Sequence, residues 1–599
     1  MTIFARIQEE WETLDGVIRS KAAYREIEAG ADISVGKDLE RTVDKFADNI
    51  AIRFEGRSLT YRQFDQRANR FAHWAIALGL KKGDVVALFA SNQPDYICCW
   101  VGLAKIGVAT ALINANLTGG ALAHSLNISG AHHAIVSEDL IEAYGAVSGQ
   151  CERKLKAWAL AAPSGWRADA EDLEAALDAA SADRPPKELS DAVALGDLAL
   201  LVYTSGTTGA PKAARMLHLR TLGMLRAFIG GGHAKHTDKV YVSLPLYHST
   251  GGLTGVGFAL ITGGTLILRR KFSATHFWED VASEKATVFF YIGELCRYLL
   301  NTPEHPQERA HVLRLGVGNG LRPEVWERFQ TRFAVPKLLE FYGSTEGNVA
   351  MLNFTGKVGA CGRIPDWLRP LANTRIVRFD PEAEAPIRDE NGLCIEAAHD
   401  EVGEVLGEIK QEARYRFEGY SNKAETERKI LRDVFEKGDA WFRTGDLMRR
   451  DKLGYFYFVD RIGDTFRWKG ENVSTNEVSD VLSQFPGVEE ANVYGVKVAA
   501  ADGRAGMAAL ATAKDFDLAG FHAFAARELP AYARPMFVRL KQDIETTGTF
   551  KYRKVDLVRD GFDPSALTDP IYFDNPETKV FEPVTPKLFA RIQSGAIRL

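Results

Sequence analysis

From Asn49 onward, short apolar runs alternate with helical stretches, and this alternation limits the fold more than any other feature of the chain. Ile50 to Phe54 and Asp84 to Ala90 read as strands, while Thr60 and Gln63 form a capping box that opens a helix through Leu78. A second helix is expected from about Asp95 to Ile106, followed by the apolar run Val108 to Ile113. Strand patterns recur at Val240 to Leu244, Thr265 to Leu268, Ala286 to Ile292, Arg314 to Val317 and Lys337 to Phe341. Such alternation implies a largely parallel sheet covered on both faces, an α/β fold. A chain of 599 residues exceeds what one core supports, so two or more domains are expected.

The flanks differ from this body. Residues 1 to 40 read as a polar helical lead, and Ala159 to Ser190, with Pro185-Pro186, as a peripheral helix and connector. Near Gly403 the pattern changes to short strands, Glu404 to Ile409 and Gly454 to Val459, which suggest a small antiparallel β subdomain. Beyond Gly463 comes a smaller α+β block rich in Lys and Arg around Lys541 to Lys554. The expected division is therefore 1–462 and 463–599.

The net charge of −5 supplies no basic field for nucleic acid, and no basic cluster with interleaved aromatics compensates. Six cysteines without a CxxC pair argue against a disulfide framework and a structural zinc site, and fit a reducing cytoplasm. The first residues carry Glu9, Glu10, Glu12 and Asp15 instead of a basic flank and apolar core, unlike a signal peptide. The most apolar helix candidate, Tyr96 to Ala104, ends at Lys105, well short of the ~20 residues of a spanning helix. A soluble protein, or one held peripherally at a membrane, is expected.

The unusual residues cluster just past strand ends, where open parallel sheets bind ligands. After the apolar run Leu198 to Tyr203 comes Thr204-Ser205-Gly206-Thr207-Thr208-Gly209-Ala210-Pro211-Lys212. Hydroxyls, glycines that expose backbone N–H groups, and a lysine suit phosphate; a Ser/Thr/Gly surface turn is the plain alternative. Pro211 before Lys212 and Ala213 after it exclude a Walker P-loop. In Tyr342-Gly343-Ser344-Thr345-Glu346 the aromatic ring can stack on a purine, Thr345 can reach phosphate, and Glu346 can hold Mg2+. The same residues would also suit a capped helix start. Asp446, in Arg443-Thr444-Gly445-Asp446, suits ribose hydroxyls, and the Arg461 guanidinium suits ribose or phosphate oxygens, with a common turn and a surface ion pair as alternatives. His132-His133 and Cys98-Cys99 read as structural.

Taken in order, these stretches resemble the adenylate-forming (AMP-binding) superfamily over essentially the whole chain. Gly318-Asn319-Gly320-Leu321-Arg322-Pro323, Phe341 to Asn348, Asp464 to Thr475, Leu529 to Pro535 and Thr547-Gly548-Thr549-Phe550-Lys551 resemble its fatty-acid transport protein and very-long-chain acyl-CoA synthetase branch. The resemblance implies a large N-terminal domain with two layered, mostly parallel sheets, and a small mobile C-terminal domain. It implies activation of a long-chain carboxylate by Mg·ATP to an acyl-adenylate, then thioester formation with CoA. Carried over, Thr204 to Gly209 and Lys212 would hold the β and γ phosphates. Gly318, Asn319, Gly320 and Tyr342 would frame adenine, Thr345 contact the α-phosphate, Glu346 bind magnesium, Asp446 meet the ribose, and Arg461 the ribose or phosphate. Lys551 would be the adenylation lysine, with Lys554 as its rival because Phe550 stands where the superfamily usually has glycine. The small domain would turn about Gly463, where the family usually has a charged hinge residue. Tyr247-His248-Ser249-Thr250-Gly251-Gly252 resembles the acyl-pocket motif. There His248 would steer the carboxylate or simply pack, and the glycines would admit an alkyl chain. Alternatives are acyl transfer to a carrier protein, an uptake protein that traps fatty acid, and a ligase for sterol-type carboxylates.

Overall fold

Thr60 caps the helix Tyr61–Ala77 as its spelling predicts: the Thr60 hydroxyl accepts from Gln63 N–H while the Gln63 side chain accepts from Thr60 N–H. A computed structural model of the chain describes residues 3–28, 30–160, 170–205, 211–380, 383–412, 415–420, 422–462, 464–468, 471–499, 503–542, 544, 554–597 and 599. The chain divides into two units, Met1–Ile364 with Glu408–Ile430, and Pro365–Gly407 with Leu431–Leu599.

Unit 1 holds two sheets with mixed α/β layering. In the first, the order is Ala350–Asn353, Leu338–Gly343, Leu315–Asn319, Val288–Ile292, Lys239–Val242, Thr265–Leu268, Ile50–Phe54 and Arg57–Thr60. The inner pairs are parallel and only the two edge strands are antiparallel to their neighbours. The second runs Ala170–Asp172, Lys156–Leu160, His133–Ser137, Val85–Phe89, Ala109–Leu112, Leu198–Ser205 and Pro211–Leu217, parallel except for the last pair. Strands between the edges are covered on both faces and are accordingly largely apolar, as Val288–Ile292 and Ala109–Leu112 are.

The helix Pro94–Lys105 is buried throughout from Tyr96 to Lys105, which explains its continuous apolar spelling. Lys105 ends it inside the protein, where its ammonium meets Asp65 at 2.5 Å, Asn69 at 2.6 Å and Glu40 at 2.8 Å. Removing one partner from a buried group of this kind costs about 3–5 kcal/mol.

Among the described residues, unit 2 shows two clusters of buried apolar side chains. Val377, Cys394, Leu406, Val434 and Trp441 pack within an antiparallel region built on Thr374–Asp380, Gly403–Glu408, Ala440–Arg450 and Tyr455–Arg461. A larger core, drawn entirely from residues 466 to 597, lies against the mixed sheet Val488–Val496, Ala505–Thr512, Phe537–Lys541, Ile571–Asn575 and Val580–Pro583.

Candidate functional site

In unit 1 the expected residues converge at the carboxyl ends of the parallel strands. Strand Leu338–Gly343 delivers Tyr342, half-buried, and then the bend that carries Thr345 and Glu346; no helix starts there. The Thr345 hydroxyl lies 3.0 Å from that of Ser249, which joins this bend to the Pro245–Ser249 turn. Glu346 Oε1 accepts from the Tyr420 hydroxyl at 2.9 Å. Tyr420 in turn lies under Lys212, whose ammonium is 5.8 Å from the ring centre and pairs with Glu425. An antiparallel bridge between Ala214 and Tyr420 holds this arrangement. Lys212, Tyr420, Glu346, Thr345 and Ser249 thus form one connected line of cation, phenol, carboxylate and hydroxyls.

Burial, then the adjacent Glu346, pushes the Tyr420 phenol far above its ordinary range, so it donates as a neutral O–H. Glu346 keeps Oε2 beyond that bond. A single hard carboxylate oxygen fits magnesium, which retains water and takes phosphate oxygens for the rest of its shell. Among the described residues no group of three or more His, Cys, Asp or Glu could hold a metal alone.

Arg220 fixes the bend from below. Its guanidinium donates to the carbonyls of Ser344 at 3.0 Å, Thr345 at 3.3 Å and Gly347. Desolvation lowers its pKa, opposed by Tyr24 and Glu346.

The neighbouring strand Leu315–Asn319 ends in Gly318 and Asn319, followed by Gly320 at φ +76. A Cβ on Gly318 would stand 2.3 Å from the Tyr291 carbonyl oxygen, so the position is closed to any larger residue. Asn319 Oδ1 is buried without a hydrogen-bond partner, an unused acceptor of the kind that an amino donor on a ligand would satisfy. Glu340 holds the turn in place: it accepts from Leu321 N–H at 2.9 Å and from the Tyr291 hydroxyl at 2.7 Å. Burial pushes its carboxyl up to about 8 despite those hydrogen bonds.

His248 stacks obliquely on Tyr247, ring centres 4.5 Å apart, and its carbonyl accepts from Gly252 N–H at 2.7 Å. Asn92 anchors the turn, accepting from Leu246 N–H and donating to the Leu244 and Arg269 carbonyls. The two glycines that follow correct the expectation of an alkyl opening. Their missing side chains are matched by the chain's own backbone, with Pro245 O 2.8 Å from a Cβ on Gly251 and Leu246 O 1.8 Å from one on Gly252. They serve the tight return of the chain into a π-helical turn, Thr250–Gly255.

In unit 2, Asp446 and Arg461 are direct partners across adjacent antiparallel strands, with Arg461 Nε 3.5 Å from Asp446 Oδ1. Asp446 N–H donates to the Thr444 hydroxyl, which itself donates to the Val405 carbonyl. Arg443 forks onto the buried Glu404, at 3.0 and 2.7 Å. Lys554 is committed elsewhere: it donates to the Thr475 hydroxyl at 2.6 Å and pairs with Asp464 at 3.3 Å. Lys551, Gly206, Thr207, Thr208, Gly209 and Gly463 lie outside the described residues, as do the side chains of Thr204 and Ser205. The strands that flank the loop are described, with Thr204 opposite Lys212 and Ser205 opposite Pro211.

Sequence reasoning missed Tyr420, Glu425, Arg220, Glu340 and Asn92. Glu340 alone carried a usable signal, a carboxylate inside an apolar strand; the others act across long sequence separations.

A family model described as AMP-binding enzyme matches residues 39–411. Mouse long-chain fatty acid transport protein 6 is 39% identical over 576 residues, 94% of this chain and 92% of that protein. Human long-chain fatty acid transport protein 1 is 42% identical over 555 residues, 91% of this chain and 84% of that protein. Among solved structures, an anthranilate CoA ligase in complex with anthranoyl-AMP matches with a TM-score of 0.75 at 20% identity, covering 88% of this chain and 96% of that one.

Proposed function

The chain belongs to the AMP-binding enzyme family, on the branch of the long-chain fatty acid transport proteins, and we propose that it is an AMP-forming fatty acid:CoA ligase. One observation carries the reading. Tyr420 links Lys212 to Glu346, and Thr345 beside Glu346 meets Ser249 directly, at the carboxyl ends of parallel strands.

In the first step a carboxylate oxygen of the fatty acid attacks the α-phosphorus of ATP, the bond to pyrophosphate breaks, and acyl-adenylate forms. In the second the CoA sulfur attacks the acyl carbon, the bond to AMP breaks, and the thiol proton leaves to solvent. Joining two anions requires charge shielding and alignment, not a protein nucleophile. Thr204, Ser205, Gly206, Thr207, Thr208, Gly209 and Lys212 take the β and γ phosphates, and Lys212 leaves Glu425 to do so. Asn319 accepts from the adenine amino group between Gly318, Gly320 and Tyr342. Thr345 donates to the α-phosphate, and His248 orients the carboxylate. Glu346 holds the magnesium ion that arrives with ATP, whose charge offsets that of the phosphates. Asp446 and Arg461 meet the ribose, and Lys551, on a lid of residues 463–599, supplies a cation to the reacting oxygens.

The substrate class is a long-chain acid, and the reaction belongs to the cytoplasm, where ATP and CoA are supplied. Conversion to a CoA ester also draws fatty acid inward by mass action, which reconciles a ligase with relatives named for transport. The test is pyrophosphate release from Mg·ATP, with and without CoA, over carboxylates from short to very long chain and cholate. Release that depends on a long-chain acid, with AMP and acyl-CoA as co-products, is expected; no release with any acid overturns the proposal. Lys551→Ala is expected to abolish adenylation while sparing thioester formation from supplied acyl-adenylate, and equal loss of both half-reactions refutes the role of Lys551.

A further inference from the structure

Read by content, the helix Ile3–Glu28 is a polar lead, yet one face of it is packed into unit 1 while the other stands in solvent. Thr13, Gly16, Ser20, Tyr24 and Ile27, buried or half-buried, follow one another at spacings of three and four and form the inner face. Thr13 is fully buried and accepts from Arg363 at 2.7 Å. A Cβ on Gly230 would meet the Arg19 backbone at 2.4 Å, and one on Gly16 the Phe354 ring at 2.5 Å, so backbone and ring approach the helix too closely for it to roll.

This seat places Tyr24. Its hydroxyl donates to the Gly223 carbonyl at 2.5 Å, and its ring lies against the bare Gly223 backbone, where a Cβ would stand 3.4 Å from the ring. Gly223 belongs to the helix His218–Arg226. In a regular helix its carbonyl would take the Ala227 N–H, but that group turns to Met224 instead. The phenol therefore serves a carbonyl that the last turn leaves open. Burial pushes this phenol up to about 12, so it stays a donor throughout the neutral range.

The helix His218–Arg226 stands behind two parts of the candidate site. It follows the strand Pro211–Leu217, which carries Lys212, and it supplies Arg220, the donor to the Ser344, Thr345 and Gly347 carbonyls. All three bonds leave from Nη2, while Nε is buried without a hydrogen-bond partner among the described residues. A side chain held at one tip is placed by its backbone. Gly223 lies one turn beyond Arg220, and the desolvation of Arg220 is opposed first by Tyr24 and then by Glu346.

The same stretch of chain also grips both ends of this helix. His218 is fully buried, and burial pushes it down to about 4, so its neutral ring accepts the Val35 N–H at Nδ1. At the other end Arg226 pairs with the buried Asp38 and with Glu26 at 3.1 Å, and donates to the Ala23 carbonyl at 3.1 Å. Residues 23 to 38 precede the AMP-binding match, which begins at residue 39. A helix of the matched module is thus held by chain outside the match.

We infer, on the reading that this site binds Mg·ATP, that Tyr24 is a positioning residue: through the Gly223 carbonyl it fixes the helix from which Arg220 holds the bend of Thr345 and Glu346. The residues before 39 are then a working part of the nucleotide site and not a detachable lead.

The experiment compares Tyr24→Phe with the wild type by direct titration of Mg·ATP binding and by denaturant unfolding, with Thr42→Val as the control. The Thr42 hydroxyl bonds the carbonyls of Asp38 and Ile261, so its loss loosens the same region without removing a bond to the helix of Arg220. Both variants should lose a similar amount of stability. Tyr24→Phe is expected to weaken Mg·ATP binding about threefold to tenfold, the span of one hydrogen bond, and Thr42→Val to leave it unchanged. In an Arg220→Lys background, Tyr24→Phe should lower the unfolding midpoint as before and weaken binding no further. Equal affinity in Tyr24→Phe and the wild type overturns the inference. So does equal weakening by Tyr24→Phe and Thr42→Val, or an undiminished effect of Tyr24→Phe in the Arg220→Lys protein, since the phenol would then not act through Arg220. A wild type that binds no Mg·ATP overturns the nucleotide reading too, an outcome visible before any variant is made.

Discussion

Replacing Glu340 by glutamine should flatten the pH dependence of stability in unit 1. Burial lifts this carboxyl to about 8 in the folded chain from 4.5. Between those values the folded chain keeps a proton that the unfolded chain has released, so stability falls as pH rises through the window and is unaffected by this group below it. Each pH unit is worth about 1.4 kcal/mol, so from about pH 5.5 to pH 8 the wild type loses about 3 kcal/mol relative to Glu340→Gln. Glutamine keeps an acceptor for Leu321 N–H, so the turn that presents Asn319 is preserved and the comparison isolates the titration. The assay is denaturant unfolding from pH 5.5 to 8.5, followed by the fluorescence of Trp100, Trp278 and Trp326, all buried in unit 1. Titrations common to both proteins cancel in the difference. The stability of the variant relative to the wild type should rise progressively from pH 5.5 toward pH 8 and level off above it. Parallel profiles would refute a protonated Glu340.

Two further outcomes follow from the bend that carries Thr345 and Glu346. Arg220→Met leaves the Ser344, Thr345 and Gly347 carbonyls without their donor, and should cost about 1–3 kcal/mol while raising KM for ATP. Lysine at the same position should restore stability more than ATP affinity, and an unchanged KM in the methionine variant would remove Arg220 from the positioning of the site. Glu425→Gln frees Lys212 from its ion pair and should lower KM for ATP a few-fold with kcat unchanged. A higher KM would mean that Glu425 assists nucleotide binding instead of competing with it.

The sheets and the ends of their strands were legible because each rests on a local pattern. Thr60 and Gln63 cap each other within one turn, and Ile50–Phe54 and Thr265–Leu268 end where their apolar runs end. The partners that complete the site were not legible. Arg220 lies 124 residues before Ser344, and Tyr420 lies 74 after Glu346, so neither spelling refers to the other. Gly251 and Gly252 misled for a related reason. A missing side chain marks a close approach, but only the fold says that the approaching group is the backbone of Leu244 to Leu246. In the N-terminal helix, composition averaged over both faces what the fold separates by face.

Among the described residues, the core formed by residues 466 to 597 shares no buried apolar residue with the core around Val377 and Trp441. Cooperativity follows contiguous packing, so local opening in one of these cores is expected to differ in free energy from opening in the other. Amides in the strands Ala505–Thr512 and Phe537–Lys541 would exchange with solvent deuterium according to the opening of their own core, whatever stabilises the nucleotide-facing strands. Hydrogen bonds from Thr475 and Asn476 to Asp460 join the two regions, so protection that fades across this seam would be a normal consequence of the construction.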